Sequence, residues 1–284
     1  MKYPFTKMHG IGNDYIYFNC LQRELDDPSG MARYLSRRHF SVGADGIVMI
    51  CPSDKADARM RMFNADGSEG KMCGNAIRCV GKYLYDNGLT DKTQLTIDTL
   101  SGVKRLQLDV RGGRVRSVRV DMGTAEFEPS KIPVTCACDI VKDMPVNIAG
   151  SEWRITCVSM GNPHAVVYVD DPDALELDRL GPQFENHPMF PQRVNTEFVR
   201  VEDPHTLRMR VWERGSGETY ACGTGACACV AASALNGLCP YDEPVTVRLR
   251  GGELQIVCTR DRRVFMSGPA ARAYEGVFDD EDRD

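Results

Sequence analysis

Apolar and polar residues alternate along most of this 284-residue chain. Tyr15-Ile-Tyr-Phe18, Gly46-Ile-Val-Met-Ile50, Arg59-Met-Arg-Met-Phe63, Gln94-Leu-Thr-Ile-Asp98 and Val115-Arg-Ser-Val-Arg-Val120 read as strands. So do Ala165-Val-Val-Tyr-Val169, Leu207-Arg-Met-Arg-Val-Trp212, Val245-Thr-Val-Arg-Leu249 and Leu254-Gln-Ile-Val257. Many have the period of two that a half-buried antiparallel strand imposes. Gly-Gly pairs at 112–113 and 251–252 predict tight turns. Two stretches change period. After Cys73, apolar residues fall at Ala76, Ile77, Val80, Tyr83 and Leu84, a helical stripe stopped by Asn87-Gly88. After Cys222, the run Ala226 to Leu235 is small and apolar on every side and is stopped by Asn236-Gly237. A helix without a polar face must be buried, most simply by a curved sheet wrapped around it. A third helix is expected over Pro28 to Arg38, and partial helix in the Pro-rich stretch Asp170 to Arg193.

The two helical stretches are copies. Cys73-Gly74-Asn75 and Cys222-Gly223-Thr224 lie 149 positions apart, and the same offset maps Gly12-Asn13 onto Gly161-Asn162, Asn87-Gly88-Leu89 onto Asn236-Gly237-Leu238 and Gly102 onto Gly251, with no gap. The expected fold is therefore α+β: two pseudosymmetric lobes from an internal duplication, each a curved, mostly antiparallel sheet around a central helix. Pro129 and Pro133, downstream of Gly123, mark the boundary, giving lobes over 1–122 and 123–268. Two Cys-Gly turns in two similar lobes suggest one site between them, with a thiol from each.

Composition narrows the function. The chain is 42% hydrophobic and 26% charged, which excludes disorder, and its net charge of −5 leaves no electrostatic footprint for nucleic acid or an anionic membrane. The N-terminus lacks an apolar signal core, and the longest apolar run, Ile47 to Cys51, is far below a membrane span, so a cytoplasmic location is expected. Twelve cysteines in that setting argue against a disulfide framework. Their spacings contain no paired Cys-x2-Cys ligands, so no metal is expected. Most should be small buried hydrophobes.

Cys73 and Cys222 stand apart because of where they sit. A cysteine just before a helix has its thiolate favoured by the helix N-terminus, the following glycine admits close backbone approach, and the free N–H groups of the first turn suit a carboxylate. Two such units facing one carbon would place a sulfur on each side of it. One thiolate would remove an α-proton and the opposite thiol would deliver another, with carbanion charge growing toward the N–H groups. Asn13 and Asn162 occupy matching turns. Asn64-Ala65 in one copy becomes Glu213-Arg214 in the other, suited to an ammonium and a carboxylate.

Lys7-Met-His-Gly-Ile-Gly-Asn-Asp-Tyr15, Phe63-Asn-Ala-Asp-Gly-Ser-Glu69, Met72-Cys-Gly-Asn-Ala-Ile-Arg-Cys79, Met160-Gly-Asn-Pro-His164, Arg193-Val-Asn195, and Glu213-Arg-Gly-Ser-Gly-Glu218 through Ala221-Cys-Gly-Thr-Gly-Ala226 closely resemble the diaminopimelate epimerase family. The resemblance runs end to end, in family order. It implies a cofactor-free, PLP-independent enzyme that interconverts L,L- and meso-diaminopimelate for lysine and peptidoglycan synthesis. It further implies a C-terminal tail (about 269–284) returning to the first lobe, and relatives that are commonly homodimers. By the same resemblance Cys73 and Cys222 are the acid/base thiols, and Gly74, Asn75, Gly223 and Thr224 hold the reacting carboxylate. Glu213 receives the reacting ammonium. Asn13, Asn64, Asn162, Asn195 and Arg214 bind substrate, chiefly its distal end, and His164 and Glu213 tune the thiols. Three positions depart from the pattern: Gly46 replaces a substrate-contacting Gln of some members, Ala76 a more usual Gly, and Met72 a Gln.

The rival reading closest to this one is a cofactor-independent racemase of another amino acid on the same scaffold, from which only the distal-end residues discriminate. A nucleotide-binding protein rests on Gly223-Thr-Gly225-Ala-Cys-Ala228, which lacks a βαβ setting. A metal-binding protein rests on cysteine number alone.

Overall fold

Residues 1–282 are described by the structure, a computed structural model of the chain. They form an α+β protein of two compact units, one comprising Met1–Val120 with the chain from Gly268 onward, the other Asp121–Ser267.

In the first unit the strands are β1 (Lys2–Gly10), β2 (Asn13–Asn19), β3 (Gly46–Cys51), β4 (Ala58–Asn64), the short β5 (Glu69–Gly70), β6 (Gln94–Asp98), β7 (Lys104–Arg111) and β8 (Arg114–Thr124). Helix α1 (Pro28–Leu35) precedes β3, and α2 (Gly74–Asp86) follows β5. The β2–β3 and β4–β6 pairings are parallel. The second unit repeats this plan with β9 (Met144–Ile148), β10 (Ser151–Ser159), β11 (Pro163–Tyr168), α3 (Leu177–Glu185), β12 (Asn195–Asp203), β13 (Thr206–Glu213), β14 (Gly217–Glu218), α4 (Gly223–Leu235), β15 (Pro244–Leu249), β16 (Gly252–Cys258) and β17 (Arg263–Gly268). Its parallel pairings are β11–β12 and β13–β15. The final strand, β18 (Ala271–Asp279), pairs antiparallel with β1.

The 149-residue offset holds through the heart of each unit. Ile16 pairs with Ile47 as Ala165 pairs with Thr196, and Ile47 with Phe63 as Thr196 with Trp212. The helices α2 and α4 correspond residue for residue. The gapless repeat slips later: Ala58 pairs with Ile97, whereas Leu207 pairs with Val247, one position beyond the offset. The expected 251–252 turn is shifted by one as well, because Leu249 pairs with Gly252 and leaves Arg250-Gly251 as the bend. Helix α1 ends at Leu35 rather than Arg38, capped by the Ser36 N–H bonding to the Ala32 carbonyl.

Each central helix is buried as its composition requires. Every residue of α4 from Gly225 to Ala234 is buried, against β10, β11, β12, β13, β15 and β16. Helix α2 packs on β1, β2 and β7. Gly81 sits at its tightest point, where a Cβ would lie 2.9 Å from Leu106 and 3.1 Å from Leu108. Its cost of about 1 kcal/mol in helix propensity is the condition for that approach. Both helices stop at a glycine in the left-handed region, Gly88 (φ 68°) and Gly237 (φ 75°), with Leu89 and Leu238 N–H groups reaching back to the Leu84 and Ser233 carbonyls.

The opposite face of each sheet is covered too. In the first unit Ile16, Phe18, Ile47, Met49 and Phe63 pack with Met31 and Leu35 of α1 and with Phe278 of β18. In the second, Ile155, Val167 and Phe198 pack with Leu177 and Phe184 of α3. Strands β3 and β12 are thus buried on both sides over most of their length, which is why β3 reads as a continuous apolar run.

Of the twelve cysteines, ten are free, and all of these but Cys73 are buried. The remaining two depart from expectation: Cys136 and Cys138 are disulfide-bonded to each other. They are sequence neighbours in an irregular segment of the second unit, so the bond closes a tiny loop and is not a framework.

Candidate active site

Cys73 and Cys222 are the N-cap residues of α2 and α4, in extended conformation (φ −130°, ψ 121° and φ −118°, ψ 107°). Each sulfur accepts a first-turn N–H, from Ala76 at 3.5 Å and from Gly225 at 3.3 Å. A thiol is a weak acceptor beside the usual Ser, Thr or Asp, so cysteine at both caps is a chemical choice more than a stabilising one. Gly74 and Asn75 form the first turn of α2, and Gly223 and Thr224 that of α4.

In the first unit the Cys73 thiol donates to Asn13 Oδ1 at 3.2 Å. Asn13 Nδ2 in turn donates to Asp45 Oδ2 at 2.7 Å, and the same oxygen accepts the Asp14 N–H at 3.1 Å. Burial, and then the Asp14 charge, push the Asp45 carboxyl up. Asn64 ends β4 opposite Gly46, with its Nδ2 donating to Ser68 Oγ at 3.1 Å. Gly46 admits no side chain, because a Cβ would collide with the Phe63 carbonyl oxygen. The Gln contact of some relatives therefore has no counterpart at this position.

The second unit builds a longer chain of contacts. Cys222 Sγ lies 3.5 Å from Thr224 Oγ1, which accepts from Asn162 Nδ2 at 3.4 Å. Asn162 Oδ1 meets His164 Nε2 at 3.0 Å, and His164 Nδ1 meets Glu197 Oε1 at 2.7 Å. His164 and Glu197 are both wholly buried. Glu213, at the end of β13, hydrogen-bonds Cys222 and accepts from the Thr219 hydroxyl. Burial pushes its carboxyl up. Asn195 lies beside His164 on the parallel β11–β12 ladder; its Nδ2 donates to the Pro163 carbonyl at 2.7 Å and its Oδ1 accepts the Arg214 N–H at 3.0 Å. Its amide thus fixes the turn that carries Glu213-Arg214. Arg214 Nη1 donates to the Gln192 carbonyl at 2.9 Å.

Cys222 differs from the expectation of a thiol acidified by its helix. Burial pushes its pKa well up, and the Glu213 and Glu197 charges add to the shift, outweighing the Gly225 N–H. Burial and the neighbouring carboxylates thus favour the thiol form of this sulfur.

Two residues of these networks escaped the sequence reading. Asp45 carries no local signal, since Ala44-Asp45-Gly46 reads as an ordinary turn. Glu197 did leave one: it stands at the position where the offset places the apolar Val48. Among the described residues no group of three or more His, Cys, Asp or Glu is placed to hold a metal ion, and no helix is long and apolar enough to cross a membrane.

Comparison with known proteins bears on this geometry. The family model described as diaminopimelate epimerase matches residues 5–128 and 156–273. Proteins named diaminopimelate epimerase from Acetivibrio thermocellus and Agathobacter rectalis are each 53% identical, over 97% of this chain and 98% and 99% of theirs. One from Methanococcus maripaludis is 49% identical over 97% of this chain and 99% of its own. Among solved structures, a hydroxyproline epimerase from Agrobacterium vitis superposes with a TM-score of 0.72 at 15% identity, covering 97% of this chain and 92% of its own. A phenazine biosynthesis protein of the PhzF family from Bacillus anthracis gives 0.70 at 17% identity, covering 98% and 99%. These last two share the fold. With nearly its whole length matched at about half identity, the chain belongs to the diaminopimelate epimerase family.

Proposed function

We propose that this protein interconverts L,L- and meso-diaminopimelate without a cofactor, in the cytoplasm, with Cys73 and Cys222 acting on opposite faces of one α-carbon. The observation that carries the reading is the pair of cysteine N-caps at one repeat offset, each with its sulfur on a first-turn N–H group. Asn13, Asn64, Asn162, Asn195 and Arg214 bind the substrate, and Gly74, Asn75, Gly223 and Thr224 supply donors to the reacting carboxylate.

In one direction Cys222, held protonated by burial and by neighbouring carboxylates, delivers the proton. Cys73, whose S–H points at Asn13 in the resting chain, gives that proton to solvent and as thiolate takes the α-proton in its place. In the other direction the roles exchange. Glu213 serves this exchange through its contact with Cys222: a substrate ammonium placed against it cancels the negative charge that raises the thiol. Two acid/base groups of one residue type suit a reaction whose two directions are nearly equivalent.

Incubation of L,L-diaminopimelate in D2O with metal- and PLP-free enzyme should give meso product carrying α-deuterium. Full turnover by Cys73→Ala or Cys222→Ala would remove the two-thiol mechanism, and exchange confined to another amino acid would move the substrate assignment.

A further inference from the structure

Glu197 places a carboxyl group in the apolar interior of the second unit. It is wholly buried on a strand between two apolar layers, and its Oε2 has no hydrogen-bond partner among the described residues. A carboxyl group in that state costs folding free energy. The corresponding residue of the first unit, Val48, is apolar and equally buried. Room for Glu197 is made by Gly225, where a Cβ would stand 2.7 Å from Glu197 Oε1, whereas the repeat's other copy carries Ala76.

Its hydrogen-bond partners define what it does. Asn162 Nδ2 donates to Thr224, so Asn162 Oδ1 faces the imidazole, and an amide oxygen only accepts. His164 Nε2 therefore carries a proton. His164 Nδ1, on the other side of the ring, lies 2.7 Å from Glu197 Oε1. With its oxygen committed, Asn162 has only N–H left to offer.

We infer that Glu197 is a positioning residue which, through His164, commits the Asn162 oxygen to the imidazole and leaves Asn162 only N–H groups with which to meet the substrate. In the resting chain Asn13 of the first unit reaches the same donor state by another route, its oxygen taken by the Cys73 S–H and one N–H by Asp45. The two carboxylates are not repeat equivalents: Asp45 corresponds to Val194, and Glu197 to Val48. Each copy has found its own support for the same asparagine.

The inference rests on the proposed epimerase reading, and its test separates the two. Protein labelled with 15N-histidine reports the His164 ring directly, without activity. Wild type and Glu197→Gln should both keep the proton on Nε2, because a glutamine N–H can donate to Nδ1. Glu197→Val should lose that fixed tautomer. In the epimerase assay Glu197→Val should raise KM for diaminopimelate about 10- to 100-fold with a smaller change in kcat, the scale of a lost hydrogen bond to a charged group. Glu197→Gln should stay within about threefold of wild type.

A Glu197→Val protein with wild-type KM and an unchanged His164 spectrum would overturn the inference. If the Val variant does not fold, Glu197→Gln decides alone: a proton on Nδ1, or a tenfold rise in KM, counts against it. Wild type that does not turn over diaminopimelate would remove the epimerase reading and leave the His164 measurement standing.

Discussion

Gly225 is the position at which the two halves can be made to disagree by one methyl group. In Gly225→Ala the new Cβ would lie 2.7 Å from Glu197 Oε1 and 3.2 Å from Cys222 Sγ. Ordinary contact begins near 3.4 Å, so the carboxylate must recede by about 0.7 Å. The displaced oxygen is the one bonded to His164 at 2.7 Å, so the displacement strains this bond, reaching about 3.4 Å and breaking it where the shift runs along it. A hydrogen bond between such groups contributes about 1.5–3 kcal/mol, and the alanine returns at most about 1 kcal/mol of helix propensity. The expected net destabilisation is about 0.5–2 kcal/mol.

Tryptophan fluorescence reads this unit selectively, because the chain's two tryptophans, Trp153 and Trp212, both lie in it. The urea midpoint should fall by about half a molar with an unchanged slope. In a Glu197→Val background the same methyl should be neutral or stabilising, a coupling of at least about 1 kcal/mol between the two positions. A Gly225→Ala protein as stable as wild type, or more so, would refute the reasoning, since only helix propensity would then be at work.

Two further outcomes are expected. Burial pushes the Cys79, Cys239 and Cys258 thiols up to about 11, from an ordinary 9.0, and Cys157, Cys222 and Cys229 higher still. The unfolded chain releases these protons near pH 9 while the folded chain keeps them, so their stabilising contribution is complete below that pH and is lost as pH rises toward 11 and beyond. Urea midpoints should therefore decline between pH 8 and 10.5, and a flat profile would contradict it. Asp45→Ala frees Asn13 Nδ2 from its 2.7 Å contact and should lower kcat/KM by about tenfold, with Asp45→Asn closer to wild type because an amide oxygen can still accept. Equal rates for all three would dissociate Asp45 from the site.

What the sequence determined by itself is local or periodic. Strand alternation, the all-apolar run of α4 and the Asn-Gly stops follow from side-chain spacing and backbone freedom, and each lies within a few residues of its cause. The repeat offset was legible because duplication preserves spacing, and it led to Cys73 and Cys222 before any coordinate did. Only tertiary structure could decide the partners of those cysteines. The Asn13–Asp45 contact spans 32 residues, His164–Glu197 spans 33, and Asn162–Thr224 spans 62. Such pairings depend on strand register, which no local pattern specifies. The direction of the Cys222 pKa shift likewise does not follow from the helix alone, because the helix end acts within one turn of the sequence while burial and the charges of Glu213 and Glu197 arrive from other strands. A thiol's place in the chain follows from sequence; its proton is set by what folding brings against it.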